Sequence, residues 1–192
     1  MSRRDKPRKP DKPDDPKLIF AYGEAYRHAA AYLDVAPEPK WRFYFPSWVC
    51  IALATELYFK ALITLETGQN ARKDHNLSRL FRCFSRPRQL RMRQLFDEQG
   101  NNNPTFKEQY EKFRAILNTR GVTTQPRTFE AALDASSKGF EQLRYGYRPD
   151  PGGFQWFGAD ICNAIFAVVA EIHPEWVNQV PLGPPTEIIE LK

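Results

Sequence analysis

Three side chains near the middle of the chain have the types and spacing that acid–base chemistry requires. Glu56 and Lys60 lie four residues apart in an apolar run that favours helix, so they share one face of it. His75 follows after a polar turn, and its imidazole can give or take a proton near neutral pH. In the functional interpretation, the three side chains form a polar cluster inside the fold. His75 then acts as the base or the acid, and Lys60 supplies a positive charge.

Arg144 and Tyr145 extend this candidate site from the end of a later predicted helix. In an antiparallel bundle that end would meet the face of Glu56 and Lys60. Tyr145 would then be a weaker acid, and Arg144 a second candidate for the cation. Two structural interpretations stay open. Glu56 and Lys60 could form a partly solvated surface pair contributing about 0.2–0.5 kcal/mol, or Glu56 could pair with Arg144 in the core without any chemistry.

The basic segment, residues 71–93, is a second candidate site. It has eight Arg and Lys residues against one acid, a net charge of +7, which leaves −2 for the rest of a chain whose total is +5. Its arginines are Arg72, Arg79, Arg82, Arg86, Arg88, Arg91 and Arg93. Guanidinium groups fork onto phosphate, so we expect the six from Arg79 onwards to form one contiguous, solvent-facing surface for RNA or another polyanion. A solvated face balanced by acids from elsewhere is the alternative.

The sequence indicates neither a metal site nor a cofactor. No second histidine or cysteine lies four residues from any of its three histidines, and no cysteine lies near a histidine at ligand spacing. Glycine-rich phosphate loops, Walker motifs and nucleophile elbows do not occur in it. The three cysteines are odd in number and lack a CxxC spacing, which predicts reduced thiols in a cytoplasmic protein.

The helix that carries Glu56 and Lys60 is predicted to be the central element of the fold. Pro46 and Ser47 are expected to open it, with Ser47 as the N-cap, and Gly68 to close it. Apolar residues cover more than one stripe of this helix, so other helices should enclose it. Its length would also suit a bilayer, but ionisable residues inside the run are costly in lipid, and we expect no membrane contact.

The remaining elements are also predicted to be helices. The first, about residues 17–33, places its apolar residues on one face: Leu18, Tyr22, Ala25, Ala29 and Leu33. The aromatic segment 41–45 is expected to be a linker. Four more helices follow the central one: a short helix ending near Phe84, a basic helix over about 88–98 after a break at Pro87, a helix starting from the capping box at Thr105, and one over 128–145. The last helix, about 159–172, is apolar enough to be a second buried helix or a dimer seam.

This order of elements predicts an all-α protein, a multi-helix up-and-down bundle. Residues 1–16 are expected to be a disordered tail rich in proline and charge, residues 17–178 a single helical domain, and residues 179–192 a C-terminal tail. The N-terminus also lacks the apolar stretch of a secretory signal.

Three short motifs in this order resemble those of HEPN-like helical proteins. Residues 56–62 (ELYFKAL), a glycine turn and residues 74–81 (DHNLSRLF) resemble an ELxLKALL…G…HDLxxLF pattern. Residues 140–145 (FEQLRY) resemble the F-x-x-(aromatic or aliphatic)-R-Y ending of a later helix. The resemblance spans about residues 18–176. It implies an all-α bundle, often dimeric, from a prokaryotic toxin–antitoxin or anti-phage system, with a cognate antitoxin or a nucleotidyltransferase-like protein as partner.

Many members of this family are metal-independent ribonucleases that use an Arg-x(4–6)-His motif on one helix. The chain does not contain that motif: Arg27 directly precedes His28, and His75 lies three residues after Arg72. The family's catalytic residues therefore have no counterparts here. We expect a HEPN-like protein that binds RNA or nucleotide phosphate, either a divergent ribonuclease or an inactive member. The alternative is a non-enzymatic protein-interaction or dimerisation module.

Overall fold

The computed structural model describes residues 12–35, 41–101, 108, 111, 115, 128–137 and 158–177. Within these residues every regular element is a helix, which confirms the predicted all-α class. In chain order the helices are α1 (Pro16–Asp34), α2 (Trp41–Thr67), α3 (Leu77–Phe81), α4 (Arg86–Asn101), α5 (Phe129–Ser136), α6 (Gly158–Ile172) and α7 (Pro174–Val177). Of the helix predicted from Thr105, residues 108, 111 and 115 are described, and each is helical. The C-terminal tail and most of the N-terminal tail lie outside the described residues.

Helix α1 begins one residue before the predicted domain boundary. Asp15 caps it, because its carboxylate accepts a hydrogen bond from the Lys17 amide at 2.9 Å. The apolar face identified from the sequence is not the buried one: Leu18 and Tyr22 on this face are 56% and 60% exposed. The side of α1 that packs on the bundle instead carries Phe20, Gly23, Glu24 and Ala30.

Helix α2 begins at Trp41, so the prediction of a linker over residues 41–45 and a helix start at Pro46 was wrong. Pro46 lies inside the helix, although proline is commonest in the first turn. Ser47 is not an N-cap. Its buried hydroxyl donates to the Asp34 carboxylate of α1 at 2.6 Å and so ties the two helices together. Gly68 closes α2 as predicted, with a φ of 65° that glycine adopts without steric cost.

Helices α2 and α6 form the centre of the bundle. Helix α2 packs against α1, α3 and α6, and α6 also contacts α4, α5 and α7. Six side chains of α6 are completely buried: Ile161, Cys162, Ala164, Ile165, Val168 and Val169. The predictions that α2 is a core helix and α6 a buried one are therefore confirmed. The three cysteines are free, and Cys162 lies in this core.

Aromatic rings join the shorter helices to this centre. Phe59 of α2 packs at 6.5 Å from Phe81 and 5.5 Å from Phe84, measured between ring centroids. Phe129 of α5 lies 5.0 Å from Phe81 and 5.5 Å from Phe96 of α4. Such edge-to-face and tilted pairs stabilise a core beyond simple area burial. They fix α3, and the turn that follows it, against the side of α2.

The connection between α3 and α4 differs from the prediction. Helix α3 ends at Phe81, and α4 begins at Arg86, so Pro87 lies in the first turn of α4 and does not interrupt the chain before it. Proline is tolerated there because a first-turn amide has no intrahelical acceptor to lose.

By length and composition, residues Pro46–Thr67 of α2 could cross a membrane, and this is the single such helix among the described residues. Just over half of this apolar stretch, 56%, is buried inside the bundle, as is usual for a core helix.

Candidate functional site

Glu56, Lys60 and His75 meet at one side of α2. Lys60 Nζ lies 2.6 Å from Glu56 Oε1, one helical turn away. His75 Nδ1 lies 3.0 Å from each of the two carboxylate oxygens. The Glu56 side chain is 6% exposed, that of Lys60 is 19% exposed and that of His75 is 62% exposed. The predicted polar cluster is therefore present, with a buried carboxylate at its base and an imidazole at the protein surface.

The loop between α2 and α3 carries His75 to this position. The positive φ of Gly68 turns the chain away from α2. The Asp74 carboxylate then accepts a hydrogen bond from the Asn76 amide at 3.0 Å, and the Asn76 side chain caps α3 by accepting from the Arg79 amide at 3.0 Å. His75 is held between these two capping residues. Two local turns therefore place His75 opposite Glu56. The sequence signals the first by Gly68 and the second by Asp74 and Asn76 on either side of His75.

This arrangement gives His75 a defined orientation. A carboxylate only accepts hydrogen bonds, so Nδ1 carries a proton and donates it to Glu56. Lys60 supplies a second donor to the same carboxylate and balances its charge. A histidine oriented by a buried carboxylate and open to solvent can exchange protons with a bound molecule. Arg144 and Tyr145, the other two predicted members of the cluster, lie outside the described residues.

Three arginines of the basic segment line a cleft beside this cluster. The cleft has a volume of about 220 Å³ and is lined by Arg72, Asp74, Arg79, Leu80, Arg82 and Cys83. Arg79 is 71% exposed and lies 3.5 Å from the Asp74 carboxylate. The Asn76 amide, and then Arg79, lower the pKa of Asp74, so this acid stays ionised. In the described part of the chain, Arg72 and Arg82 form no ion pair with any acid.

The arginines of α4 are engaged differently. Arg88 lies 4.0 Å from Glu66 of α2, Arg91 bonds Glu171 of α6, and Arg93 bonds Glu130 of α5. These three guanidinium groups have side-chain exposures between 28% and 36%. The prediction that six arginines form one contiguous, solvent-facing surface was therefore wrong. Three of the six form ion pairs with acids that lie far away in the sequence.

Arg93 also packs its guanidinium 5.1 Å from the centre of the Phe81 ring. Arg86, at the start of α4, is exposed, and no acid pairs with it among the described residues. Among the described residues, the arginines of the basic segment without an acidic partner are thus Arg72, Arg82 and Arg86, which lie around α3 and at the start of α4.

A second polar cluster, which the sequence analysis missed, lies between α1 and α2. Arg27 donates from Nε and Nη2 to the two oxygens of Glu24, each at 2.8 Å, and the Tyr58 hydroxyl also donates to Glu24. Glu24 is 1% exposed, and Arg27 stacks over the Phe166 ring at 4.4 Å. Bonding to Glu24 raises the pKa of Arg27, and burial raises the pKa of Tyr58. His28 Nε2 lies 3.6 Å from Glu24, without a hydrogen bond.

The chemistry of this second cluster is charge neutralisation. Its carboxylate is fully occupied by a bidentate guanidinium and a phenol, and both donors hold their protons firmly. The spacing of Glu24 and Arg27, one helical turn apart, was the available signal in the sequence. The spacing alone could not show that this pair faces inward.

No group of three or more His, Cys, Asp or Glu side chains that could hold a metal ion occurs in the described ranges. No family model matches the sequence, and no curated protein or solved structure is significantly similar to it.

Proposed function

We propose that this chain is a HEPN-like, cytoplasmic helical-bundle protein that binds RNA or nucleotide phosphate at the cleft of Arg72, Arg79 and Arg82. The observation that carries the proposal is that three arginines and a single acid, Asp74, line one cleft. A phosphate bound there would be recognised through forked N–H donors and would neutralise charge that the described acids leave uncompensated.

The distribution of ion pairs supports this location. Arg88, Arg91 and Arg93 each have an acid of the bundle as partner. Arg72 and Arg82 have none within the described ranges. Like charges at this density repel one another, and a polyanion that occupies the cleft would relieve the repulsion.

The test compares two pairs of substitutions that change the charge equally. Arg72→Gln with Arg82→Gln removes cleft arginines, and Arg91→Gln with Arg93→Gln removes arginines that are paired with acids. Binding of a fluorescent, mixed-sequence RNA is followed by anisotropy over a series of salt concentrations. We expect the cleft pair to weaken binding by at least tenfold and to reduce the slope of log K against log salt by about 1.4–1.8, since each phosphate contact contributes roughly 0.7–0.9. The control pair should leave both close to the parent.

Two results would contradict the proposal. If the parent does not bind RNA, or if its affinity for RNA does not change with salt, the alternative function is favoured, which is a non-enzymatic protein-interaction module. If both pairs weaken binding equally, RNA responds to the overall charge and the cleft is not its site.

Ribonuclease activity is a second candidate function, favoured by the pairing of His75 with the buried Glu56. In metal-independent cleavage a base removes the proton of the ribose 2′-OH, the 2′-oxygen attacks phosphorus, and an acid protonates the departing 5′-oxygen. His75 would serve as the base or the acid, with Tyr145 as the weaker acid. Lys60 or Arg144 would be the cation beside the phosphate.

Incubation of the protein with mixed RNA in EDTA tests this activity. His75→Gln should abolish cleavage, whereas His173→Gln, the same change at a histidine that pairs with Glu175, should not. An inactive parent removes the ribonuclease proposal, and equal cleavage by both variants removes His75 from the mechanism.

A further inference from the structure

The charge of the cleft restricts which phosphate it binds best. Its described lining has three arginines and one acid, which gives +3 and −1, a net charge of +2. Arg72 and Arg82 form no ion pair within the described ranges, whereas Arg79 lies 3.5 Å from Asp74. A phosphate that bridges two nucleotides carries one negative charge. A terminal phosphate monoester carries about −1.5 to −2 at pH 7, so it matches the charge of the cleft more closely.

The size of the cleft restricts the ligand further. Its volume of about 220 Å³ equals that of a sphere about 7.5 Å across and lies below the roughly 300–1,000 Å³ of a typical small-molecule pocket. At about 30 Å³ for each water, that volume corresponds to about seven waters. One phosphate with part of its sugar fits this space, whereas a whole nucleotide does not. Charge and size together therefore favour a single doubly charged phosphate, which an RNA strand carries only at its ends.

Asp74 adds a requirement for a hydrogen-bond donor beside this phosphate. One of its oxygens accepts from the Asn76 amide at 3.0 Å, and the other lies 3.5 Å from Arg79. An ionised carboxylate has about four acceptor sites and no donor, so these contacts do not exhaust it. The side chain is also 25% exposed, which leaves it accessible to a ligand. A hydroxyl next to the phosphate would donate to Asp74, and the ribose 2′-OH is such a donor.

We propose that the cleft binds the 3′-phosphate end of an RNA strand, with the phosphate on the arginines and the adjacent 2′-hydroxyl donating to Asp74. This inference rests on the proposed function and names the part of the RNA that the cleft takes. In a 3′-phosphorylated end the two groups are on neighbouring carbons of one ribose, so both fit a cleft of this size. In a 5′-phosphorylated end the sugar ring separates the two groups, and the cleft is too small to hold both.

The start of α4 provides a contact for the strand outside the cleft. Arg86 is exposed, and no acid pairs with it among the described residues. It follows Cys83, a residue of the cleft, by three positions, so their Cα atoms are at most about 11 Å apart. A phosphate further along the strand can therefore reach Arg86. This second contact favours an RNA strand over a free nucleotide as the ligand.

Isothermal titration calorimetry with four short RNAs of one sequence tests the inference. The first RNA has a 3′-phosphate, and the second has a 5′-phosphate and therefore the same charge. The third has a 3′-phosphate on a 2′-deoxy terminal residue, and the fourth has hydroxyls at both ends. We expect the first RNA to bind the parent at least about tenfold more tightly than each of the others, because it alone presents a doubly charged phosphate beside a 2′-hydroxyl.

A matched pair of variants locates the site of this preference. Arg82→Gln should abolish the preference for the first RNA, since Arg82 lines the cleft and has no acidic partner in the described part of the chain. Arg91→Gln removes the same charge from an arginine that pairs with Glu171, and it should keep the tenfold preference. Circular dichroism of both variants separates these results from misfolding.

Four outcomes would overturn the inference. Equal binding of all four RNAs would refute it and leave the proposed function standing, whereas a parent that binds none of them would refute both. Tighter binding of the 5′-phosphate RNA, or equal binding of the first and third RNAs, would show that the cleft does not recognise a 3′-phosphate beside a 2′-hydroxyl. If Arg82→Gln keeps the preference, the terminal phosphate binds elsewhere on the protein.

Discussion

The substitution Glu56→Ala removes the carboxylate that receives hydrogen bonds from Lys60 and His75. Its loss would leave Lys60 without its partner in α2 and would release the loop that holds His75. Both consequences act on the free energy of unfolding, because Glu56 is 5% exposed in the folded state and fully hydrated in the unfolded chain. The expected direction is therefore destabilisation.

Its magnitude follows from how deeply each partner lies. Removing one member of a fully buried ion pair costs about 3–5 kcal/mol, whereas surface pairs contribute below about 1 kcal/mol. Lys60 retains 19% of its side-chain exposure and His75 retains 62%, so both can move toward water once Glu56 is gone. An intermediate loss of about 2–3 kcal/mol is expected, close to that of one charged hydrogen bond left unmade in a mostly buried site.

Equilibrium unfolding in urea measures this loss. With a slope of about 1–3 kcal/mol per molar urea, the transition midpoint should fall by roughly 1–2 M at an unchanged slope. Glu98→Ala is the matched control, since this glutamate is 52% exposed and pairs with Arg91 at 3.4 Å. It should change the stability by less than about 0.5 kcal/mol. If Glu56→Ala and Glu98→Ala cost the same, the carboxylate of Glu56 is solvated, and the cluster is an ordinary surface pair.

Three further predictions concern other parts of the bundle. Gly23→Ala should destabilise by about 1–3 kcal/mol, although alanine favours helix, because its Cβ would lie 2.7 Å from a phenol ring of α2; an unchanged melting temperature would show that the ring can move. Hydrogen bonding to Arg91 lowers the pKa of Glu171 below its ordinary 4.5, so this pair stabilises the fold above that pH and the contribution is lost as the pH falls through the lowered value. Glu171→Gln should therefore melt below the parent at pH 7 and approach it near pH 3, and a constant difference across that range would refute the linkage. Burial raises the pKa of Cys162 to about 12, so iodoacetamide should label the exposed Cys83 in the native protein and leave Cys162 unmodified until unfolding, as peptide mapping would show.

Local features of this protein could be predicted because they depend on residues close in sequence. The spacing of Glu56 and Lys60 placed them on one face, Gly68 ended α2, and apolar periodicity located α1 and α6 to within a residue or two. The start of α2 was predicted wrongly because Pro46 and Ser47 carry the usual signals of a helix start. The helix extends past them, since tertiary packing on α1 outweighs such preferences.

The candidate sites depended more strongly on the tertiary structure. The sequence established that residues 71–93 are strongly basic, but the acids that partner Arg88, Arg91 and Arg93 come from α2, α5 and α6. Ion pairs between distant segments leave no periodic signal, so charge density alone could not separate the cleft arginines from the paired ones.

The same limit applies to the orientation of α1. Its sequence determined a helix with an apolar stripe and a charged stripe, and helical periodicity fixed which residues share each side. Only the tertiary structure decided that the charged stripe faces the bundle, because Tyr58 and Phe166 supply the hydrogen bond and the ring contact that make the burial of Glu24 and Arg27 tolerable. Periodicity records which residues lie together on a helix, whereas the direction in which that side points is determined by partners far away in the chain.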